Sequence, residues 1–316
     1  MLASAQRSDR LMAVKVSIVR SEDREAGIRA AVGLLGDECP DLAAKNVVLK
    51  PNFNSSDPFP ASTHNDTTTA VIRLLQESGA CSVTVAERSG GSRDSNQVAD
   101  EKGVRPLFDA LGVEYVVLDD LAPEDWVSVP LEGSHWQRDI EIPRLFLEAE
   151  SIVMTCCLKT HAFGGHFTMS LKNAVGVVAH HSPFDSYPFM KELHASPHQR
   201  LMIAEINQAF SVDLIILDAL SAFTTAGPSK GTVVHPGVML ASTDRVAIDA
   251  VGVAILRTYE TTPEVMTGSI FCQDQIQRAA ELGLGVTSAS DIELVCASDE
   301  ESVAWAQRVQ AKLSES

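Results

Sequence analysis

Six of the chain's nine histidines, His161, His166, His180, His181, His194 and His198, fall within the 40 positions that begin at Lys159, and Lys172 lies among them. Imidazoles exchange protons near neutral pH and ligate divalent transition metals, whereas lysine ammonium groups hold carboxylate or phosphate oxygens. The chemistry open to such a segment is acid-base work on a small anion, with or without a metal. His161 is the candidate general acid or base, and Lys159 and Lys172 are candidate catalytic and anion-holding groups beside it. His161, His166 and His180 are candidate ligands of a divalent transition metal. The spacing marks no particular ion. His194 and His198 are four positions apart, but Pro197 breaks the helical face they would share. Cys156 and Cys157 are adjacent on a strand and point to opposite sides.

Other polar groups follow apolar runs. Lys50, Pro51 and Asn52 close one such run, and Lys50 reads either as an anion anchor or as a lysine whose stem packs at a strand end. Ser89, Gly90, Gly91 and Ser92 follow another and could present backbone N-H groups to an anion, or form a simple turn. This glycine pattern is neither GxGxxG nor GxxxxGK[ST], so no NAD or ATP motif is present. Asn52 and Asn173 are candidates to orient a ligand, with Lys50, Ser89, Gly90 and Gly91 completing its binding set. Asp244 reads as a helix N-cap. Asp249, inside an apolar helix, requires solvent or a positive partner, for which Lys172 or Lys159 is a candidate.

Strands and helices alternate in the order that would gather these residues. Val14–Val19, Asn46–Lys50 and Ser82–Glu87 are short β-branched runs, with helical spacing between Asp23 and Gly36 and between Thr67 and Gly79. The 16-residue stretch Pro51–Asp66 is long for a connection and reads as a binding loop. Shorter strand-like pieces between Val113 and Arg144 suggest an inserted hairpin. The alternation resumes with a strand at Ser151–Cys157, a helix at His198–Phe210 and a buried strand at Asp213–Leu220. A strand at Val233–Ala241, helices at Asp244–Tyr259 and Gln273–Leu282, a strand at Ile292–Ala297 and a C-terminal helix complete the series. Such alternation predicts an α/β fold with a mostly parallel sheet and flanking helices, and ligands at the carboxyl ends of the strands. The expected division is a loose tail at 1–12, an N-terminal α/β lobe at 13–125 and a C-terminal α/β lobe at 126–316 around a cleft, or one compact unit.

Lys and Arg number 25 against 42 Asp and Glu, a net charge of −17, so nucleic acid and anionic membrane surfaces are poor partners. No apolar run approaches the roughly 18 to 20 residues of a membrane span. The six cysteines are scattered, as expected of reduced thiols in the cytoplasm. Self-association into a homo-oligomer is left open.

Lys50-Pro51-Asn52, Lys159-Thr160-His161, Ser170-Leu171-Lys172-Asn173 with Gly176, and Ser242-Thr243-Asp244 followed by Asp249 occur in this order. In this the chain resembles the domain of unknown function family 362, from about Val14 to Tyr259. Many members of that family carry an iron-sulfur module, but this chain lacks its cysteine runs, so no ferredoxin-type cluster is expected. The family is distantly similar to nickel-dependent lactate racemases, which implies lysines and histidines around a metal-bearing cofactor and a 2-hydroxy acid. The expected function is an enzyme acting on a small carboxylate or phosphate by acid-base chemistry. The alternative is a non-catalytic metal- or cofactor-binding protein of a redox system.

Overall fold

The computed structural model describes residues 13–91 and 93–315; the expected tail at 1–12 and Ser92 lie outside the described residues. Its strands are β1 (Val14–Arg20), β2 (Asn46–Lys50), β3 (Ser82–Glu87), β4 (Glu114–Val117), β5 (Trp126–Val129), β6 (Ile140–Pro143), β7 (Ser151–His161), β8 (His166–Thr168), β9 (Leu214–Phe223), β10 (Val233–Val234), β11 (Val238–Ser242) and β12 (Ile292–Cys296). Among the described residues ten of these form one sheet, with the main path β12-β1-β11-β9-β7-β2-β3-β4; β8 adds to β7 and β10 to β9. Along the main path only β11 runs against its neighbours, so the sheet is mixed but mostly parallel. The inserted hairpin is present as β5 and β6, a separate antiparallel pair.

Period-2 alternation explains the layers. On β7, Ile152, Met154, Cys156 and Leu158 enter one apolar cluster with Ile215, Leu217 and Leu240. Val153 enters the other, with Leu49, Val85, Leu214 and Ile216. A strand apolar on both faces must be covered on both, and helices do this. Arg24–Gly33 and Asn65–Glu77 contribute to the second cluster, and Arg245–Leu256, buried at every position, contributes to the first. The halves expected to part near residue 125 share this sheet, because β2 pairs with β7 and β1 lies between β11 and β12. No helix among the described residues is long and apolar enough to cross a membrane.

Strand order also decides where a ligand fits. From β2 the chain steps outward through β3 to β4, and it then returns to place β7 on the other side of β2. Connections leave β2 and β7 in opposite directions, which opens a crevice at their carboxyl ends.

Candidate functional site

A cavity of about 620 Å³ occupies that crevice. Lys50 closes β2, Glu87 closes β3, and Lys159 and His161 lie at the end of β7; all four line it. The sequence places Lys159-Thr160-His161 after a strand, whereas the structure places them within one. A register shift between Cys157 and Lys159 re-aims β7, and pairing with β8 extends it to His161.

Parallel register sets the first contact. Leu49 lies opposite Val85, so Lys50 and Glu87 emerge side by side at neighbouring strand ends. Lys50 Nζ donates to Glu87 Oε1 at 2.6 Å, to the Pro51 carbonyl at 2.9 Å and to Asn173 Oδ1 at 3.3 Å, with both charged side chains fully buried. Glu87 also accepts the Phe53 and Arg88 backbone N-H groups, at 2.7 and 2.8 Å. A buried pair persists only when its remaining valences are filled in this way. Gly176 packs over it, since a Cβ there would stand 2.9 Å from Glu87 Oε1 and 3.0 Å from Lys50 Nζ. Lys50 is therefore committed to Glu87.

Lys172 and Asn173 sit on the short helix Ser170–Asn173. Asp249 holds its start, accepting the Ser170 N-H at 2.8 Å and the Leu171 N-H at 3.0 Å. Neither Lys172 nor Lys159 is its partner, which corrects the sequence expectation. The backbone N-H groups of a helix start satisfy a carboxylate directly. Asn207 Nδ2 donates to the Leu171 carbonyl at 3.1 Å, and Asn173 Nδ2 donates to Thr155 O at 3.0 Å. Asp244 is the N-cap the sequence suggests, with Oδ1 accepting from Val246 and Ala247 at 2.7 and 2.8 Å.

His161 and Lys172 meet across Gly165, where a Cβ would come within 2.9 Å of Lys172 Cε and 3.1 Å of His161 Nδ1. The Phe163 backbone N-H donates to His161 Nδ1 at 3.3 Å, leaving the hydrogen of the neutral ring on Nε2. Burial, reinforced by Lys172 and Lys159, pushes the His161 imidazolium far below its usual range. Lys172 is lowered to about 8, by burial and then by Lys159. Lys159, with no exposed surface, donates to the Ala61 carbonyl, and burial lowers it as well.

The cavity brings together Lys50, Asn52, Gly90, Gly91, Lys159, His161, Lys172 and Asn173 from the expected set. Ser89 is not among its walls. Its hydroxyl donates to the Phe53 carbonyl at 2.9 Å, and it borders an adjoining hollow of about 490 Å³. The candidate metal set His161, His166 and His180 is spread out by the structure. His166 faces His161 in the β7-β8 register, but at φ +58° it departs from strand geometry, and the charged groups around it are Arg200, Asp274 and Glu264. His180 lines the adjoining hollow. Among the described residues no three His, Cys, Asp or Glu side chains form a metal-ligand group, so the donors present do not fit a metal ion held by the protein alone. His194 does reach the main cavity, whereas His198 stacks on His135 with ring centroids 4.5 Å apart. Helices Phe189–Ala195 and Gln199–Glu205 flank Pro197, as the proline requires.

The binding set inferred from sequence omitted Glu87, Arg88, Arg93, Thr168 and Arg200, which also line the cavity. Strand ends signalled Glu87 and Arg88. Arg200, on a separate helix, carried no such signal. Among the described residues six cationic side chains and one carboxylate, Glu87, line the cavity.

The curated thylakoid-associated protein sll1697 of Synechocystis sp. is 26% identical over 269 residues, covering 81% of this chain and 78% of that protein. Among solved structures, a lactate racemase apoprotein from Thermoanaerobacterium thermosaccharolyticum is 15% identical with a TM-score of 0.43, over 65% of this chain. A protein from Thermotoga maritima is 16% identical with a TM-score of 0.40, over 61% of this chain. The present chain spans half the length of each of these two structures. The domain of unknown function DUF362 matches residues 47–254, which carry every cavity residue named above, and the chain belongs to that family.

Proposed function

We propose that this protein is an enzyme that moves a proton on a small carboxylate- or phosphate-bearing molecule. The observation that carries the reading is the charge of the cavity: Lys50, Arg88, Arg93, Lys159, Lys172 and Arg200 line it, and among the described residues Glu87, Asp57 and Asp274 pair with only three of them, Lys50, Arg93 and Arg200, in a chain of net charge −17. Repulsion from the rest of the molecule disfavours anions, so a concave cationic site selects them locally. Three buried polar atoms on the same walls, Asn52 Oδ1, Thr168 Oγ1 and Arg88 Nε, have no partner among the described residues, and a ligand would supply one.

The roles of His161 and Lys172 differ from the sequence expectation. A ring that stays neutral and accepts at Nδ1 offers the Nε2 hydrogen, so His161 serves as a neutral donor to developing negative charge. Lys172, at about 8, exchanges a proton near neutral pH, with about a tenth of it unprotonated at pH 7. Lys159 holds the anion, joined by Lys172 while that lysine is protonated, and Asn52 and Asn173 orient it.

The test is deuterium incorporation into a panel of small carboxylates and phosphates in D2O, followed by proton NMR. Exchange that requires the protein and is lost in Lys172→Met and His161→Ala, with both variants folded by circular dichroism, is the expected result. Binding of these anions without exchange or turnover of any would overturn the catalytic reading.

A further inference from the structure

Not all of the cavity's positive charge is spent within the protein. Lys50 is paired with Glu87 at 2.6 Å, Arg93 with Asp57 at 3.5 Å and Arg200 with Asp274 at 2.6 Å. Lys159, Lys172 and Arg88 remain. Lys159 and Arg88 are 0% and 3% exposed, and Lys172 is half-buried. None of the three forms an ion pair among the described residues. Lys159 is held by the Ala61 carbonyl. Arg88 is held by the Ser89 and Val175 carbonyls, at 3.0 and 2.8 Å, with its Nε unpartnered. Carbonyl dipoles orient a buried cation without cancelling its charge, and Asp119 and Glu87 offset the Arg88 charge only from outside ion-pair distance, so part of a costly buried charge is left for a ligand.

The three cations occupy different parts of the cavity. Lys172 meets His161 across Gly165, and Lys159 lies two positions before His161 at the end of β7. The Arg88 guanidinium lies beneath the turn at Val175, in contact with Met190, where the main cavity adjoins the second hollow; Arg88, Gly91 and Arg93 line both. We infer that the natural ligand carries at least two negative charges on separate groups, one held by Lys159 and Lys172 and the other by Arg88, so that the substrate class is a dicarboxylate or a phosphorylated carboxylate. The inference rests on the anion-binding reading above and narrows it. Arginine keeps its proton under all ordinary conditions, so its share of the charge cannot be shed when the site is empty.

Calorimetric titration of the full chain at pH 7 with propionate, succinate and phosphoglycolate tests the inference. The expected result is that succinate or phosphoglycolate binds at least tenfold more tightly than propionate, and that Lys172→Met reduces this preference at least tenfold. Arg88→Met is expected to do the same; because Arg88 is buried and that variant can fail to fold, the half-buried Lys172 is the primary substitution. Propionate binding within threefold of both other anions would overturn the two-charge inference and leave the anion reading standing. No binding of any of the three would remove both.

Discussion

Asp249 accepts the backbone N-H of Ser170 at 2.8 Å, so a carboxylate with no exposed surface fixes the start of the turn that carries Lys172 and Asn173. Asp249→Asn leaves one acceptor where two backbone donors converge, and an unsatisfied buried N-H costs about 1–3 kcal/mol. The variant is expected to lose about that much stability at pH 5, where wild-type Asp249 is protonated, to lose less as pH rises, and to bind anions more weakly.

The same variant reports on a pH response. Burial raises Asp249 from 3.8 to about 7, against the lowering effect of its two N-H partners. The folded state then binds the proton more tightly than the unfolded state, so this group's contribution to stability falls as pH rises through that window. Denaturant titrations between pH 5 and 8 should show a decline in the wild type that is reduced in Asp249→Asn. Parallel curves would remove Asp249 as its source.

If Lys172 is the proton acceptor, kcat/KM rises with pH and levels off above about 8. No step is expected near 6.5, because His161 stays neutral on both sides of it. A limb near 6.5 that vanishes in His161→Gln would return the base role to His161.

Gly165→Ala tests the contact between His161 and Lys172. The added methyl would approach Lys172 Cε to 2.9 Å and His161 Nδ1 to 3.1 Å, and the lysine tip can yield. Anion affinity and turnover should fall at least tenfold while the thermal midpoint changes little. A large loss of stability with unchanged affinity would show that the glycine serves packing alone.

Glu87→Gln leaves Lys50 buried without its counter-charge. Breaking a buried pair from one side costs about 3–5 kcal/mol. The double variant Lys50→Met/Glu87→Gln is expected to recover part of this loss, but not all, since Glu87 also accepts the Phe53 and Arg88 N-H groups. A double-mutant cycle with denaturant checks both statements.

Much of the frame was legible because apolar β-branched runs bounded by polar residues have few other solutions: β2 and β3 begin and end where the pattern places them. The reversed direction of β11 was not legible, because a short apolar strand carries no mark of its polarity. At the site, Lys159, His161, Lys172 and Asn173 could be found from their types and order. His166 and His180 could not be excluded that way. A left-handed backbone at His166 and a turn after Asn173 separate residues that chain position alone places together. The Lys50-Glu87 pair depends on register between two parallel strands, which no local pattern specifies.

The family match begins at residue 47 and ends at residue 254, inside the helix Arg245–Leu256. It therefore includes β11 but omits β1, which pairs with β11 along its whole length from Val238 to Ser242. A fragment cut to the matched limits would keep every residue of the cavity and yet bare a row of backbone donors and acceptors on β11. Such an edge recruits strands from other chains. The recognisable unit and the autonomous folding unit are thus different lengths of polypeptide, and expression of the shorter one should yield aggregates in place of a small folded core.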